Sequence, residues 1–299
     1  MSFTTRPLGS DDAQAVADMI SDYDQAFADD ADRMSARDVR EWWSRAKVET
    51  LGVFDETGRL AGVGAFHRRG EQNLTDNFVH PSFNGRGIGT SLLEWAEERT
   101  AEQGIAAIRT ATISADTSGK ALIESRGYYY IRSFYRMVID LDDQPDPPDW
   151  PEGFTMSLFE PGEEREVHAT LEEAFADHWG FVPRTFEEWN ERNGQLAERL
   201  CYLVRDQEGT LVAAELCDEE AFGAGHVGVL GVRPQWRRRG IAEALLRQAF
   251  HDLYARGQRR VGLGVDSENP TGATRLYGRV GMRVALQEDA YEKLLSPAG

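Results

Sequence analysis

The sequence predicts an α/β protein made of two copies of one domain in tandem. A long segment near the middle of each half has the same pattern, and a stretch rich in proline and aspartate separates the halves. In each half, the spacing of the apolar residues alternates between that of a strand and that of an amphipathic helix. These features favour two mixed, mostly antiparallel sheets, each flanked by helices.

The repeat is visible in residues 78–112 and 231–265. Both segments read as a strand, a proline, a glycine turn, an amphipathic helix, a second glycine and a second strand. Val79 precedes Gly87 by 8 residues, and Val232 precedes Gly240 by the same number. The motifs LIESRGY and LYGRVGM match farther along, so we interpret the halves as a tandem duplication.

The segment DLDDQPDPPDWPEG separates the two copies. Its prolines and aspartates disfavour both helix and strand. The predicted organisation is a first domain at residues 1–141, a linker at 142–153 and a second domain at 154–299.

Each copy contains the same elements in the same order. A short strand comes first, FTTRPL or FTMSLF, and two helical stretches follow it. Strands with apolar alternation come next, ETLGVF and LAGVGAF in the first copy and CYLVR and LVAAELC in the second. The strand entering the glycine turn, its helix and a closing strand, helix and strand complete each copy.

Composition excludes several classes of protein. With 41% hydrophobic and 28% charged residues, the chain is expected to be globular. Its net charge of -18 argues against nucleic acid or an anionic membrane surface as a partner. The chain has neither a spanning apolar run nor a signal-peptide pattern, so a cytoplasmic location is expected. The oligomeric state stays open.

The cysteine content implies neither a disulfide framework nor a metal. Cys201 and Cys217 lie in apolar strand-like stretches without metal-ligand spacing. We therefore expect buried free thiols.

Three consecutive arginines, Arg237 to Arg239, stand just before the helix that follows Gly240. The N-terminal end of a helix carries partial positive charge, so cations are unfavourable there. The first-turn amides of such a helix point outward and bind phosphate. The pattern predicts an anion at this turn, with solvated arginines beside a plain turn as the alternative.

The sequences RRRGIA and NGRGIG resemble the Q/R-x-x-G-x-G/A pyrophosphate loop of the GNAT superfamily of acetyltransferases. The resemblance covers nearly the whole chain as two copies, and NPTGATRLYGRVGM, residues 269–282, fits the family pattern after the second loop. It implies two tandem GNAT-like domains, each with a splayed central strand pair, and acetyl-CoA as cofactor. The predicted anion is then the pyrophosphate of CoA.

By this resemblance, both copies supply cofactor-binding residues. In the second copy they are Leu230, Gly231, Val232, Arg237, Arg238, Arg239, Gly240, Ile241, Ala242, Glu243, Asn269, Thr274 and Arg275. In the first copy they are Phe78, Val79, Asn84, Gly85, Arg86, Gly87, Ile88, Gly89 and Thr90. The backbone amides at 230–232 would hold the pantetheine arm and stabilise negative charge on the thioester carbonyl when an amine attacks.

The resemblance also implies the catalytic groups of the second copy. Tyr277 matches the family tyrosine that protonates the leaving thiolate, with packing as its other interpretation. An ammonium acceptor, with a pKa near 10.4, must first lose a proton. Family members often carry Glu at the position of His226, whose imidazole suits a proton relay. Strand alternation is expected to place His226, Gly228 and Leu230 on one face, and Glu215 on the preceding strand is the reserve base.

The segment FADHWGFVPRTFEEW falls where the superfamily builds its acceptor wall. Asp177, His178 and Trp179 are expected to contact a cationic substrate there. Trp179 suits packing equally well.

The first copy departs from the family pattern where catalysis is expected. Ile123 stands in place of the tyrosine, Ala115 in place of the asparagine and Asn73 in place of the histidine. None of these side chains can carry out the proton transfers, whereas NGRGIG keeps its glycines. The first copy is therefore expected either to hold cofactor without chemistry or to be a scaffolding remnant.

The sequence therefore predicts a GNAT-type N-acetyltransferase whose second copy transfers an acetyl group directly from acetyl-CoA to a primary amine of a small molecule. One alternative is a non-catalytic protein that binds or senses acyl-CoA. The other is an acetyltransferase of protein or peptide amines.

Overall fold

A computed structural model describes residues 2–29, 31–46, 48–69, 72–193 and 196–295 of the chain. The chain divides into two compact units. Unit 1 contains the described residues up to Tyr135 together with those from Ala285 onward, and unit 2 is Arg136–Val284.

The first copy forms its helices and strands in the predicted order. They are β1 (Thr4–Arg6), α1 (Ala13–Gln25), α2 (Ala36–Ala46), β2 (Glu49–Phe54), β3 (Leu60–Arg69), β4 (Gln72–Val79), α3 (Ile88–Glu102), β5 (Ala107–Ile113), α4 (Thr117–Ser125) and β6 (Tyr129–Asp140).

The second copy repeats this order. Its elements are β7 (Phe154–Leu158), α5 (Glu164–Phe175), α6 (Phe186–Asn193), β8 (Leu200–Asp206), β9 (Leu211–Ala221), β10 (Ala224–Val232), α7 (Ile241–Ala255), β11 (Arg260–Asp266), α8 (Ala273–Arg279) and β12 (Arg283–Leu294).

The sheet of unit 1 is mostly antiparallel. Strands β1 to β4 pair antiparallel in chain order, and β4 then pairs parallel with β5. The other edge of β5 pairs antiparallel with β12, where Ala290 lies opposite Ala111. Val16 and Ile20 of α1 pack in one apolar cluster with Val63 of β3. The amphipathic period of α1 thus covers one face of the sheet.

The sheet of unit 2 has the same plan. Strands β7 to β10 pair antiparallel in chain order, β10 pairs parallel with β11, and β6 lies next to β11. Val167 and Leu171 of α5 pack in one cluster with Leu216 of β9. Leu245 and Leu246 of α7 are completely buried. The mixed sheets flanked by helices confirm the predicted fold class.

The compact units differ from the sequence domains 1–141 and 154–299 at the last strand of each copy. The end of β6, from Arg136, belongs to unit 2, and β12 from Ala285 belongs to unit 1. The alternation of apolar residues in a strand specifies which face is buried but not which sheet the strand joins. Residues 141–153 form neither helix nor strand, as their prolines and aspartates predict.

Both cysteines are buried free thiols, as expected from their apolar strands. Burial raises the pKa of the Cys201 thiol to about 12, so this side chain is uncharged at neutral pH.

None of the helices in the described residues is both long enough and apolar enough to cross a membrane.

Candidate active site

The turn between β10 and α7 forms the rim of the candidate site in unit 2. A short 3₁₀ turn, Pro234–Trp236, leads from β10 to Gly240, which caps α7 at a φ of 84°. Glycine adopts this left-handed conformation without the steric cost of a Cβ atom. A Cβ at Gly240 would also lie 3.2 Å from Cγ of Pro151. The turn therefore needs glycine, and the first amides of α7 are directed outward as in a phosphate site.

The central strands β10 and β11 separate before β10 reaches this turn. The parallel ladder of β10 and β11 has only two pairs, Gly225 with Val261 and His226 with Gly262. After these pairs, residues 227–232 and 263–266 line opposite sides of a cavity of about 930 Å³. Backbone groups of β10 that a continuous ladder would use are thereby available to a ligand. The predicted splayed strand pair is confirmed.

Most of the predicted cofactor-binding residues of the second copy line this cavity. They are Leu230, Gly231, Val232, Arg237, Arg238, Gly240, Ile241, Ala242, Glu243, Asn269 and Arg275. Arg239 and Thr274 are not among the described lining residues. The Asn269 side chain accepts hydrogen bonds from the amide and hydroxyl of Thr271, so it also shapes the turn before α8.

Tyr277 on α8 lines the cavity and is buried. Burial, with a smaller effect of the Glu215 charge, raises the pKa of its phenol to about 12. The hydroxyl is therefore protonated at neutral pH and can donate a proton or a hydrogen bond.

Glu215 on β9 is fully buried opposite Leu230. Neither of its carboxylate oxygens has a hydrogen-bond partner among the described residues. Burial raises the pKa of Glu215 well above its usual range, because the charged form would lose its hydration. A neutral carboxyl is a poor base, and Glu215 is not among the described residues that line the cavity.

The register of β10 corrects the expected position of His226. His226 pairs with Asp218 and Leu230 pairs with Glu215, with a register shift between Val227 and Val229. Paired residues of neighbouring strands point to the same face of a sheet. Residues 215 and 218 of β9 are three positions apart and so point to opposite faces, and therefore His226 and Leu230 do as well. The imidazole of His226 lies 5.6 Å from the Phe222 ring, and His226 is not among the described lining residues.

The three residues predicted to contact the acceptor have different surroundings. His178 lines the cavity. Asp177 forms an ion pair with Arg237, and the hydrogen bond from this guanidinium, together with the smaller effect of its charge, lowers the Asp177 pKa to about 2. Trp179 is 41% exposed. The structure thus brings only His178 of the three to the cavity wall.

Unit 1 has a smaller cavity of about 390 Å³ at the equivalent turn. The described residues that line it include Val79, Asn84, Gly85, Gly87, Ile88, Gly89 and Thr90 from the predicted set, but not Phe78 or Arg86. Gly87 caps α3 at a φ of 82°. The phosphate turn is thus preserved. The guanidinium of Arg86 lies over the Phe83 ring, 5.2 Å from its centroid.

The smaller cavity is also lined by Tyr23, a hydroxyl-bearing residue that the sequence analysis does not single out. Tyr23 of α1 bonds Asp116 through its phenolic hydroxyl at 3.0 Å and contacts the Thr112 hydroxyl at 3.1 Å. Ile123 lines the same cavity, whereas Asn73 is fully buried in β4. Tyr23 comes from a different element than Tyr277, so a search at equivalent positions could not find it.

A glycine-capped helix start, parted strands and a buried phenol along one cavity are the features that the sequence resemblance predicts for an acyltransferase. The model of the acetyltransferase (GNAT) family matches residues 16–128 and 164–282. The chain belongs to this family.

Individual proteins agree with this assignment. The mycothiol acetyltransferase of Thermobispora bispora is 33% identical over 211 residues, which cover 68% of this chain and 70% of that protein. The structure of a GCN5-related N-acetyltransferase from Sphaerobacter thermophilus has a TM-score of 0.83 at 33% identity and covers 99% of this chain and 97% of its own. A tandem GNAT protein from the clavulanic acid biosynthesis pathway, 16% identical with full coverage of both chains and a TM-score of 0.76, shares the fold.

Proposed function

We propose that unit 2 transfers an acetyl group from acetyl-CoA to a primary amine of a small molecule, in one direct step within its cavity. The observation that supports this most is that Gly240 and Tyr277 line one cavity of about 930 Å³. Transfer from a CoA thioester needs a turn that binds the cofactor phosphates and a group that donates a proton to the leaving sulfur.

The residues present fit acetyl-CoA. Gly240 leaves no side chain in the cradle formed by the start of α7, and Arg238 lines the same cavity. The parted strands leave backbone groups at 230–232 for the pantetheine arm and the acetyl carbonyl. When bound, acetyl-CoA would supply an activated acetyl thioester.

The chain itself would contribute two effects to the transfer. Amides at 230–232 would donate hydrogen bonds to the carbonyl oxygen as negative charge develops on it. Tyr277 would donate its proton to the departing sulfur. Its pKa of about 12 means that the phenol is protonated at neutral pH, so the proton is available for this step.

The acceptor that we propose is a small molecule. The relatives at up to 33% identity are named mycothiol acetyltransferases, which supports a small-molecule amine over a protein or peptide amine. The cytoplasmic location stays a prediction.

The test is release of free thiol from acetyl-CoA with a panel of small primary amines and, in parallel, basic peptides. We expect release with at least one small amine, and a product of the corresponding added mass. Tight binding of acetyl-CoA without thiol release in any mixture would instead identify an acyl-CoA binding protein.

A further inference from the structure

Arg237 is bound to the acceptor side of unit 2. Its guanidinium donates to both Asp177 carboxylate oxygens, at 2.6 and 3.0 Å, and to the Ala174 carbonyl at 2.8 Å. Its Nε donates to the Val232 carbonyl at 3.2 Å. Four of the five N–H donors of the guanidinium group thus connect the end of α5 and the residues after it to the end of β10. Phosphate binding is then left mainly to the backbone amides and to Arg238, which lines the cavity.

Asp177 in turn orients His178. Nδ1 of His178 lies 3.1 Å from Oδ1 of Asp177, and its ring is 4.7 Å from the Phe175 ring. When Nδ1 donates its proton to the carboxylate, the lone pair of the imidazole is on Nε2. His178 lines the same cavity as Tyr277.

The other two candidate bases are less well placed. His226 lies on the opposite face from Leu230, and Glu215 is buried without a hydrogen-bond partner among the described residues. Neither is among the described residues of the cavity wall.

We propose that His178 is the general base of the transfer, and that Asp177 and Arg237 are its positioning residues. This inference rests on the proposed function. The amine N–H bond breaks and its proton goes to Nε2 of His178, while the nitrogen bonds to the acetyl carbon. The C–S bond breaks, and the sulfur takes the proton of Tyr277. Transfer of one proton from His178 to Tyr277 through solvent restores both groups.

The two copies support this assignment. The sequence Ala-Phe-Ala-Asp occurs at 26–29 and again at 174–177, so the aspartate is duplicated. In the first copy, however, Asp30 follows it in place of the histidine, and Asn84 stands at the arginine position. The complete set of arginine, aspartate and histidine therefore occurs only in the copy whose cavity contains Tyr277.

The decisive experiment compares His178→Ala with wild type on the amine that gives thiol release. We expect kcat to fall about a hundredfold, as for loss of a general base. Added imidazole should restore part of the rate, and acetyl-CoA affinity measured by calorimetry should stay within about twofold. His251→Ala, in a histidine of α7 bonded to the Pro145 carbonyl, is the matched control and should leave both quantities unchanged.

The positioning residues need a second measurement. Asp177→Asn should lower kcat about tenfold, the value of one charge-assisted hydrogen bond, without weakening acetyl-CoA binding. Arg237→Ala should do the same, and the double variant should lose no more than either alone. Both changes should speed amide hydrogen exchange in residues 174–180, whereas Arg238→Ala should weaken acetyl-CoA binding and leave that exchange unchanged.

The results separate this inference from the proposed function. Wild type that turns over no amine contradicts the proposed function. Active wild type with a larger loss in His226→Ala than in His178→Ala, or without imidazole rescue, contradicts the role of His178. Loss of acetyl-CoA affinity in Arg237→Ala would make this arginine a phosphate ligand and overturn its positioning role.

Discussion

Units 1 and 2 keep the same phosphate turn but differ in what lies beyond it. The capping glycines have φ angles of 82° and 84°, and both lead into helices of 15 residues. Behind them, unit 2 has a cavity of about 930 Å³ with Tyr277, and unit 1 one of about 390 Å³ with Ile123 in the equivalent position. The conformation of the capping glycine is thus the same in both units, whereas the side chains behind it differ.

A second difference lies at the parted strands. In unit 2, Leu230 of β10 is opposite Glu215, and in unit 1, Asn77 of β4 is opposite Gly64. A buried carboxyl therefore occurs in this pair only beside the larger cavity. The comparison teaches that two units with the same glycine turn can differ in the side chains that lie behind it.

The largest effect should come from matched glycine variants. Gly240→Glu should abolish transfer by lowering acetyl-CoA affinity about a hundredfold or more, because a carboxylate would occupy the phosphate position. Gly87→Glu should leave transfer intact. Affinity and thiol release measured on both variants test this, with Gly240→Ala to separate charge from backbone strain. Loss of activity in Gly87→Glu alone would reverse the roles of the units.

The next effect concerns the two cavity phenols. Tyr277→Phe should lower kcat about a hundredfold with little change in acetyl-CoA binding, because the hydroxyl acts on the leaving group. Tyr23→Phe, which removes the phenol of the smaller cavity, is the matched change and should leave kcat as in wild type. Equal losses in both variants would mean that both units carry out chemistry.

A smaller effect is expected in how the free energy of unfolding depends on pH through Glu215. The folded-state pKa of Glu215 is raised by burial, so its contribution to the free energy of unfolding is full below the unfolded-state pKa of about 4.3 and is lost as pH rises. Glu215→Gln should therefore unfold at a higher urea concentration than wild type at about pH 8, and at a similar one at about pH 4. A constant difference across this pH range would mean that Glu215 is ionised in the folded protein.

The smallest effect concerns the dependence of CoA affinity on ionic strength. Arg238 lines the cavity of unit 2, whereas Arg86 of unit 1 is stacked over Phe83. We expect CoA affinity to fall with ionic strength more steeply in unit 2, because charge contributes more to binding there. Calorimetry on Gly87→Glu and Gly240→Glu at low and high salt isolates each unit. Equal slopes would show that amides dominate in both.

Local features of the site could be predicted from the sequence because they depend on neighbouring residues. The φ angles of Gly87 and Gly240 and the helices after them follow from glycine spacing and apolar period. The face of His226 could not be predicted, since the register shift between Val227 and Val229 reverses the alternation.

Contacts between residues that are far apart in the sequence could not be predicted either. The place of Arg237 before the helix predicts a phosphate ligand, but its bond to Asp177, 60 residues away in the sequence, could not be predicted. Tyr23 reaches Asp116 across 93 residues. The repeated Ala-Phe-Ala-Asp motif marks this aspartate in the sequence, but its partner is visible only in the structure.

The placement of β12 in unit 1 has a consequence for synthesis of the chain. Strand β5 ends at Ile113, yet its partner residues begin at Glu288. At roughly 5–20 residues per second, the ribosome needs about 10–35 seconds to make the intervening segment. During that time one edge of β5 lacks its partner strand β12. Synthesis of unit 1 therefore begins before that of unit 2 but is completed after it.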